Sequence, residues 1–379
     1  MLYGGRSGEH EVSLASAAAV WANLDRAKYE PIAVRIEKDG RWVLPDRAPS
    51  AANAAEVIEQ SRSEINRARG GREVFLPPRP GAPSMMALDR HPGGDDQAPV
   101  TALTGIGVDV VFPVLHGPLG EDGTIQGLLE LANMPYVGCG VLASSVGMDK
   151  LVMKTVFRAH GLTVPDWIGV DRRDWIANAD DLLARINTTL AYPLFVKPAN
   201  MGSSVGISKV SAADELPAAL DLAADFDRRI VVERGVVDAR EIECAVLGNG
   251  EPRASVPGEI IPAREFYDYE AKYIDAGSRD EIPARLDPAM AAEIQRQAVV
   301  AFQAIDGAGL ARVDFLVSRA TGQVFINEIN TMPGFTTISM YSKMWVKSGV
   351  DYPSLVDRLV TLALERHSDK QQLKTSVFD

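Results

Sequence analysis

Two carboxylates and an amide stand at spacings that would let them hold a hard cation. The segment Ala311-Arg312-Val313-Asp314-Phe315 is followed by Phe325-Ile326-Asn327-Glu328-Ile329-Asn330, and Ser318 to Gly322 between them reads as a hairpin turn. Side chains two residues apart share a strand face, so Arg312 projects with Asp314, and Glu328 with Asn330. With Arg312 opposite Glu328, all four share one face. Asp314 and Glu328 are then diagonal neighbours, roughly 7–8 Å apart at the backbone, a span that magnesium ions can bridge. Two carboxylates and one amide oxygen suit such a cation, with phosphate oxygens and water completing its shell. A surface hairpin with alternating charges is the plainer reading. Against it, the charges stand among Val313, Phe315, Ile326 and Ile329 and run directly into Thr331-Met332-Pro333-Gly334.

Three further constellations could carry chemistry. In Phe195-Val196-Lys197-Pro198-Ala199-Asn200-Met201-Gly202-Ser203-Ser204-Val205-Gly206, small residues allow backbone N–H groups close to phosphate oxygens, and Lys197 at the strand end can meet them as a point charge. The Walker spacing is absent, so a P-loop is excluded, while a plain β-turn remains an equal alternative. Gly4-Gly5-Arg6-Ser7-Gly8-Glu9-His10-Glu11-Val12-Ser13 is a glycine turn opening a helix, without the G-x-G-x-x-G pattern. Its two glutamates would repel a pyrophosphate and suit a substrate ammonium, or they merely decorate the first helical turn. Phe266-Tyr267-Asp268-Tyr269-Glu270-Ala271-Lys272-Tyr273 reads either as an edge strand or as a lid that excludes water from a reactive intermediate. His116, at a strand end, is ambiguous by itself.

The elements that must position these groups follow an α/β rhythm. A strand stub, a helix from Val12 to Leu24 and a strand from Pro31 to Ile36 predict a βαβ unit in a parallel sheet. The stub before Gly4 is so short that the natural start is expected upstream. Residues 46–104 are turn-rich and apolar-poor, and much of this stretch reads as a surface excursion. Val108 to Leu115 is expected to be a buried strand, followed by a helix near Thr124 to Ala132, and Met148-Asp149-Lys150 opens another helix. Three domains are expected, over residues 1–138, 139–232 and 233–379, the last closed by a helix from Tyr352 to Arg366. A chain of 379 residues accommodates that number.

Composition removes several function classes. The net charge of -12 disfavours nucleic acid, which needs a clustered basic footprint. Cys139 and Cys244 stand far apart and form neither a disulfide framework nor a zinc motif, which fits a reducing cytoplasm. No apolar run approaches the roughly 20 residues of a membrane helix, and no signal sequence is evident.

Taken in order, His10-Glu11-Val12-Ser13, Leu115-His116-Gly117-Pro118-Leu119-Gly120-Glu121-Asp122-Gly123, Met148-Asp149-Lys150, Gly202-Ser203-Ser204-Val205-Gly206, Tyr269-Glu270-Ala271-Lys272-Tyr273 and Asn327-Glu328-Ile329-Asn330-Thr331-Met332-Pro333-Gly334 resemble the D-alanine:D-alanine ligase family. The series covers nearly the whole chain apart from residues 46–104 and the tail. The resemblance implies a three-domain ATP-grasp architecture, α/β with a mixed α+β part. It also implies ATP-dependent ligation of two D-alanines through a D-alanyl phosphate, for peptidoglycan precursor synthesis and cell-wall construction. Lys150 and Lys197 would contact the nucleotide phosphates, and Glu233 and Glu241 the adenosine portion. Asp314, Glu328 and Asn330 would ligate two magnesium or manganese ions, with a monovalent cation as an optional further ion. Glu9, with His116 nearby, would hold the first ammonium; Arg312 and the Gly334 N–H would face the oxyanion; Ser339 would bind the second carboxylate. Lys272 would reach the transferred phosphate, and Tyr273, Ser203 and Glu9 would form a hydrogen-bonded closure. A homodimer, free of nucleic acid and membrane, is expected. The alternatives are a ligase making D-alanyl-D-lactate or a mixed dipeptide, and an inactive ATP-binding regulatory subunit. Tyr273 argues against the ester-forming relatives, and the intact metal residues against the subunit.

Overall fold

Short strands pairing across long stretches of chain build three sheets in this computed structural model, which describes residues 1–50, 71–82, 84–91, 100–261, 279–336 and 338–374. The first sheet holds β1 (Leu2–Gly4), β2 (Val34–Ile36), β3 (Trp42–Pro45), β4 (Gly71–Phe75), β5 (Met85–His91), β6 (Val100–Ile106) and β7 (Pro113–Val114). Its order is β6-β5-β4-β3-β2-β1-β7. The stub β1 is buried, lies between β2 and the edge strand β7 and is parallel to both, and the helix α1 (His10–Asn23) makes the expected crossover from β1 to β2. The strand foreseen over Val108 to Leu115 pairs only at Pro113–Val114, with Val111 making a separate parallel bridge to Tyr136.

The described part of residues 46–104 is not all surface excursion. β4, β5 and β6 lie there and extend the sheet in antiparallel order. The extension is carried by polar cross-strand pairs as well as by apolar burial. The Arg72 guanidinium meets both carboxylate oxygens of Asp89 on the next strand, Thr104 donates to Asp89 at 2.9 Å, and Arg90 pairs with Glu73 at 3.0 Å. A strand with one wet face needs few apolar residues, which is why composition hid these three.

The second sheet is wholly antiparallel, with β8 (Trp167–Asp171), β9 (Leu194–Pro198), β10 (Ser208–Val210) and β11 (Arg229–Arg234) in the order β10-β9-β11-β8. The third holds β12 (Ala239–Gly248), β13 (Arg253–Ala254), β14 (Gly258–Ile261), β15 (Arg279–Glu281), β16 (Gly309–Ser318) and β17 (Val324–Asn330). Its order is β15-β14-β12-β16-β17, with β13 paired to β12. Between the first two sheets run α2 (Thr124–Leu131), α3 (Val141–Met148) and α4 (Lys150–Ala159), and Asp149 caps α4 by accepting from the Leu151 and Val152 N–H groups. One face of the third sheet buries Ile242, Cys244, Val313 and Phe315 against Met153 and Phe157 of α4 and against α5 (Pro288–Ala304). On the other face only part is apolar. Ala245, Leu247 and Leu310 join a core shared with α1, α6 (Met340–Lys347) and α7 (Tyr352–Gln371), while Glu241, Glu243, Arg312 and Asp314 are left to line a site.

That shared core fastens the end of the chain to its beginning. Phe335 is fully buried, edge-on to Phe112 at 6.1 Å and to Tyr352 at 6.2 Å, and tilted against Tyr341 at 5.3 Å. Among the described residues no helix is long and apolar enough to cross a membrane. Replacing Phe335 by alanine removes a buried aromatic that joins three segments, and an unfolding free energy lower by about 3–5 kcal/mol is expected in denaturant titration.

Candidate active site

β12, β16 and β17 place three carboxylates in one cross-strand row. Glu243 pairs with Asp314, and Asp314 with Glu328, while the adjacent row sets Arg312 opposite Asn330. The expected register is therefore corrected. Arg312 faces Asn330 and not Glu328, so Asp314 and Glu328 are directly opposed instead of diagonal. A bulge between Asp314 and Phe315 breaks the pairing there, and alternation alone cannot locate such a bulge. The shared face holds as expected. Like charges directly opposite repel, so the row demands cations. Arg312 forks onto Asp314 with two contacts of 2.7 Å and reaches Glu243 at 3.1 Å, and the Lys150 ammonium lies 3.7 Å from Glu328. Burial opposes the Arg312 charge, but Asp314 and Glu243 together hold the guanidinium well above its ordinary range. Asn330 turns its amide N–H to Asp314 at 3.0 Å. Among the described residues no three His, Cys, Asp or Glu side chains cluster as a self-sufficient metal site. Two carboxylates with an amide oxygen fit a magnesium-type ion that takes its remaining ligands from phosphate and water.

Two cavities meet beside this row. The larger, about 830 Å³, opens between the second and third sheets, with Lys197, Glu233, Glu241 and Asp314 in its wall. The smaller, about 160 Å³, is lined by Glu9, His116, Arg312, Gly334 and Ser339. Lys150, Ser203 and Glu328 belong to both walls, so whatever fills one cavity faces what fills the other.

Glu9 is not a decoration of the helix. It stands at the N-cap of α1 without capping, and its carboxylate instead accepts a hydrogen bond from the Ser203 hydroxyl. Glu11, two residues on, pairs with Lys38 on the outside at 2.6 Å. A Cβ on Gly117 would lie 2.6 Å from Glu9 Oε2, so the loop after His116 must be glycine there to admit the carboxylate. Of the closure that the resemblance implies, Glu9 and Ser203 are in contact, and Tyr273 lies outside the described residues together with Lys272.

His116 has both ring nitrogens engaged. Nδ1 lies 3.0 Å from the Met332 carbonyl and so carries the proton, and Nε2 lies 3.0 Å from the Ser16 hydroxyl, which itself accepts the Phe335 N–H. Burial lowers the His116 pKa and so favours the neutral ring, with Nε2 accepting from Ser16. Its visible work is to tie the Met332–Phe335 turn to α1. Gly334 is pressed so close to Ser339 that a Cβ would lie 2.9 Å from its hydroxyl. Ser339 is the N-cap residue of α6, where unsatisfied N–H groups and the helix dipole favour a carboxylate.

The lysines arrive from two elements. Lys197 on β9 lies 3.0 Å from Glu233 on β11, and Lys150 at the head of α4 donates to the Met201 carbonyl at 2.7 Å. Three charged residues in or behind these walls were missed by sequence reasoning: Glu243, Glu121 and Lys154. Glu121 stood within the Leu115–Gly123 motif without being given a role, and Lys154 carried the signal of its spacing, one helical turn from Lys150.

A family model described as D-ala D-ala ligase N-terminus matches residues 1–139, and one described as D-ala D-ala ligase C-terminus matches residues 156–361. The chain belongs to the D-alanine:D-alanine ligase family. A D-alanine--D-alanine ligase of Heliobacterium modesticaldum is 48% identical over 99% of this chain and 96% of its own. The D-alanine-D-alanine ligase of Coxiella burnetii has a solved structure that superposes with a TM-score of 0.77 at 38% identity, covering 98% of this chain and 94% of that one. The VanG D-Ala:D-Ser ligase of Enterococcus faecalis does so with a TM-score of 0.76 at 33% identity, covering 96% and 98%. The three-sheet fold is thus the ATP-grasp architecture that the motif series implied.

In this ligase fold Glu121 deserves a place beside Glu9. Its carboxylate accepts the Gly117 N–H at 2.9 Å within the smaller cavity. Burial, and then the neighbouring charge of Glu9, push its carboxyl up to about 8. A folded-state pKa above that of the unfolded chain means the folded protein holds the extra proton, so stability declines as pH rises from about 4 to 8 and then levels. Glu121→Gln cannot titrate. The stability of the variant relative to the parent should therefore climb across that window, by at most about 1.4 kcal/mol per pH unit, in denaturant melts from pH 5 to 9. A pH-independent difference would show an ordinary carboxyl.

Proposed function

We propose that the protein joins two D-alanine molecules into D-alanyl-D-alanine, converting ATP to ADP and phosphate by way of a D-alanyl phosphate, in peptidoglycan precursor synthesis. The observation that carries this reading is the common wall of the two cavities at Lys150, Ser203 and Glu328, across which an amino-acid carboxylate in the smaller cavity would face a nucleotide in the larger one. Family membership supports ATP and a divalent cation as requirements.

The first carboxylate attacks the γ-phosphorus and ADP leaves. The amine of the second molecule then attacks the acyl carbonyl, phosphate departs, and the nitrogen gives up its protons. Positioning and electrostatics supply most of the rate of such a transfer, which fits a site of fixed charges without a covalent nucleophile. Both cysteines agree, for burial raises Cys139 to about 11 and Cys244 to about 12, and both thiols are inert near neutral pH. Lys150 and Lys197 would meet the phosphates, and Glu233 and Glu241 the adenosine. Asp314, Glu328 and Asn330 would hold two divalent ions, whose charge, when bound, offsets that of the phosphates. Glu9, with the loop held by His116, would take the first ammonium, and Ser339 at the head of α6 the second carboxylate. Arg312 and the Gly334 N–H would face the oxyanion. Lys272 and Tyr273 keep the roles that the resemblance implies, at the transferred phosphate and in the closure.

Domains 1–138, 139–232 and 233–379 are supported by the three sheets, with β11 running on to Arg234. A cytoplasmic homodimer completes the proposal. The similarity to a D-Ala:D-Ser ligase makes D-serine the acceptor to test against D-alanine. Phosphate release with D-alanine, D-serine and D-lactate as acceptors should favour D-alanine, and preferred use of either competitor would overturn the assignment. Glu328→Gln keeps the shape but removes one charge of the row, so ligation should fall roughly a hundredfold or more with the melting temperature held. Near-normal turnover would remove Glu328 from the metal site.

A further inference from the structure

One buried ammonium has no part in the chemistry above. Lys154 lies one turn after Lys150 on α4, and its side chain is 1% exposed. Desolvating an ammonium costs several kcal/mol, and a methionine would fill the same space without that cost. Its ion partner is Glu233, itself 2% exposed, one oxygen of which meets the Lys154 Nζ while the other takes the Lys197 Nζ at 3.0 Å. Burial works against the charge on Glu233, but the two lysines hold its carboxyl below the usual range; burial likewise lowers the Lys154 pKa, opposed by the Glu233 carboxylate, and with all three charged the Lys–Glu–Lys cluster carries a net +1.

The members differ in what they face. Lys197 and Glu233 line the larger cavity, where Lys197 also approaches the Asn327 side-chain oxygen at 3.5 Å, whereas Lys154 is absent from that wall. Lys154 thus stands behind the cavity wall and meets it by way of Glu233, its ion partner. Without it, Glu233 and Lys197 would be a closed neutral pair, and a phosphate would have to compete with the carboxylate for the one ammonium. With it, the carboxylate is already balanced from the side away from the cavity.

We infer that Lys154 is a positioning residue for ATP, balancing the Glu233 carboxylate so that the charge of Lys197 is directed at the phosphates; the inference rests on the larger cavity being the nucleotide site. The effect belongs to the phosphates and not to the adenosine portion. Its measure is the ratio of affinities for ATP and for adenosine, which carries no phosphate.

The test is calorimetric titration of the full chain with ATP and with adenosine, for the parent, Lys154→Met, Lys154→Arg and the double variant Lys154→Met/Glu233→Gln. Removing one unit of charge from a low-dielectric cluster should lower the ATP-to-adenosine ratio about tenfold in Lys154→Met, with the KM for D-alanine unchanged. Lys154→Arg, which keeps the charge, should stay within about threefold of the parent. The double variant restores the net charge of +1 and should recover the ratio even though its adenosine affinity falls. If Lys154→Met does not fold, the double variant decides alone, because its charges are balanced; a ratio well below that of the parent would overturn the inference. So would a folded Lys154→Met with an unchanged ratio. A parent protein that binds neither ATP nor adenosine would overturn the nucleotide reading and the inference together, whereas parent binding with unresponsive variants sinks the inference alone.

Discussion

Three carboxylates set in one row across adjacent strands, Glu243, Asp314 and Glu328, repel one another, and the row is tolerated because positive charge is supplied beside it. Arg312 supplies most of it, forked onto Asp314 and within reach of Glu243. The Lys150 ammonium approaches the far end of the row. A guanidinium so placed cannot be exchanged for a lysine, because the planar fork makes two parallel bonds to one carboxylate and still leaves an N–H for another. The residual negative charge is what a divalent ion would satisfy. Structure and chemistry thus ask for the same thing, since the repulsion that makes the row unstable by itself is the attraction that would draw in the metal and its phosphates.

The polar half of the sheet must also be sealed, and the seal comes from the ends of the chain. Phe335, Tyr341 and Tyr352 bury themselves against Phe112 and α1, which brings the Met332–Phe335 turn over the first sheet. His116 completes the attachment as a neutral ring that donates to Met332 and accepts from Ser16. Burial of the ring opposes a charge on it, which lowers the His116 pKa and favours the neutral form in which Ser16 donates to Nε2 and accepts the Phe335 N–H. The smaller cavity exists because residues from opposite ends of the chain meet there.

How much of this could be read from the chain depends on whether the signal was local. The hairpin of β16 and β17 was legible because alternation within a strand fixes which side chains share a face, and Asp314, Glu328 and Asn330 do. The register was not, because it depends on a bulge after Asp314. α1, α4 and α7 announced themselves by period and by Asp149 at a cap, although α7 runs to Gln371 and not Arg366. β4, β5 and β6 stayed hidden because their cross-strand contacts, such as Arg72 to Asp89, involve partners that a single strand does not reveal. Glu121, Glu243 and Lys154 were missed for the same reason. Each is an ordinary charged residue until a distant segment folds against it.

The contact between Glu9 and Ser203 has a cost that identifies its purpose. Ser203 and Ser204 have φ of 50° and 59°, the left-handed region that disfavours residues with a Cβ by about 1–2 kcal/mol each. Gly202 and Gly206 flank them, so a loop made only of glycine would have relieved the strain. A glycine at 203 would have no hydroxyl for the buried Glu9 carboxylate, however. A charge-assisted hydrogen bond in such a site is worth about 1.5–3 kcal/mol, of the same order as the strain of the two residues together. The loop is thereby tied to α1 across the common wall of the two cavities, and an acyl phosphate formed there would lie beneath it. Water is the competing nucleophile for that intermediate, so a loop fastened at Ser203 protects the product as much as it shapes the site.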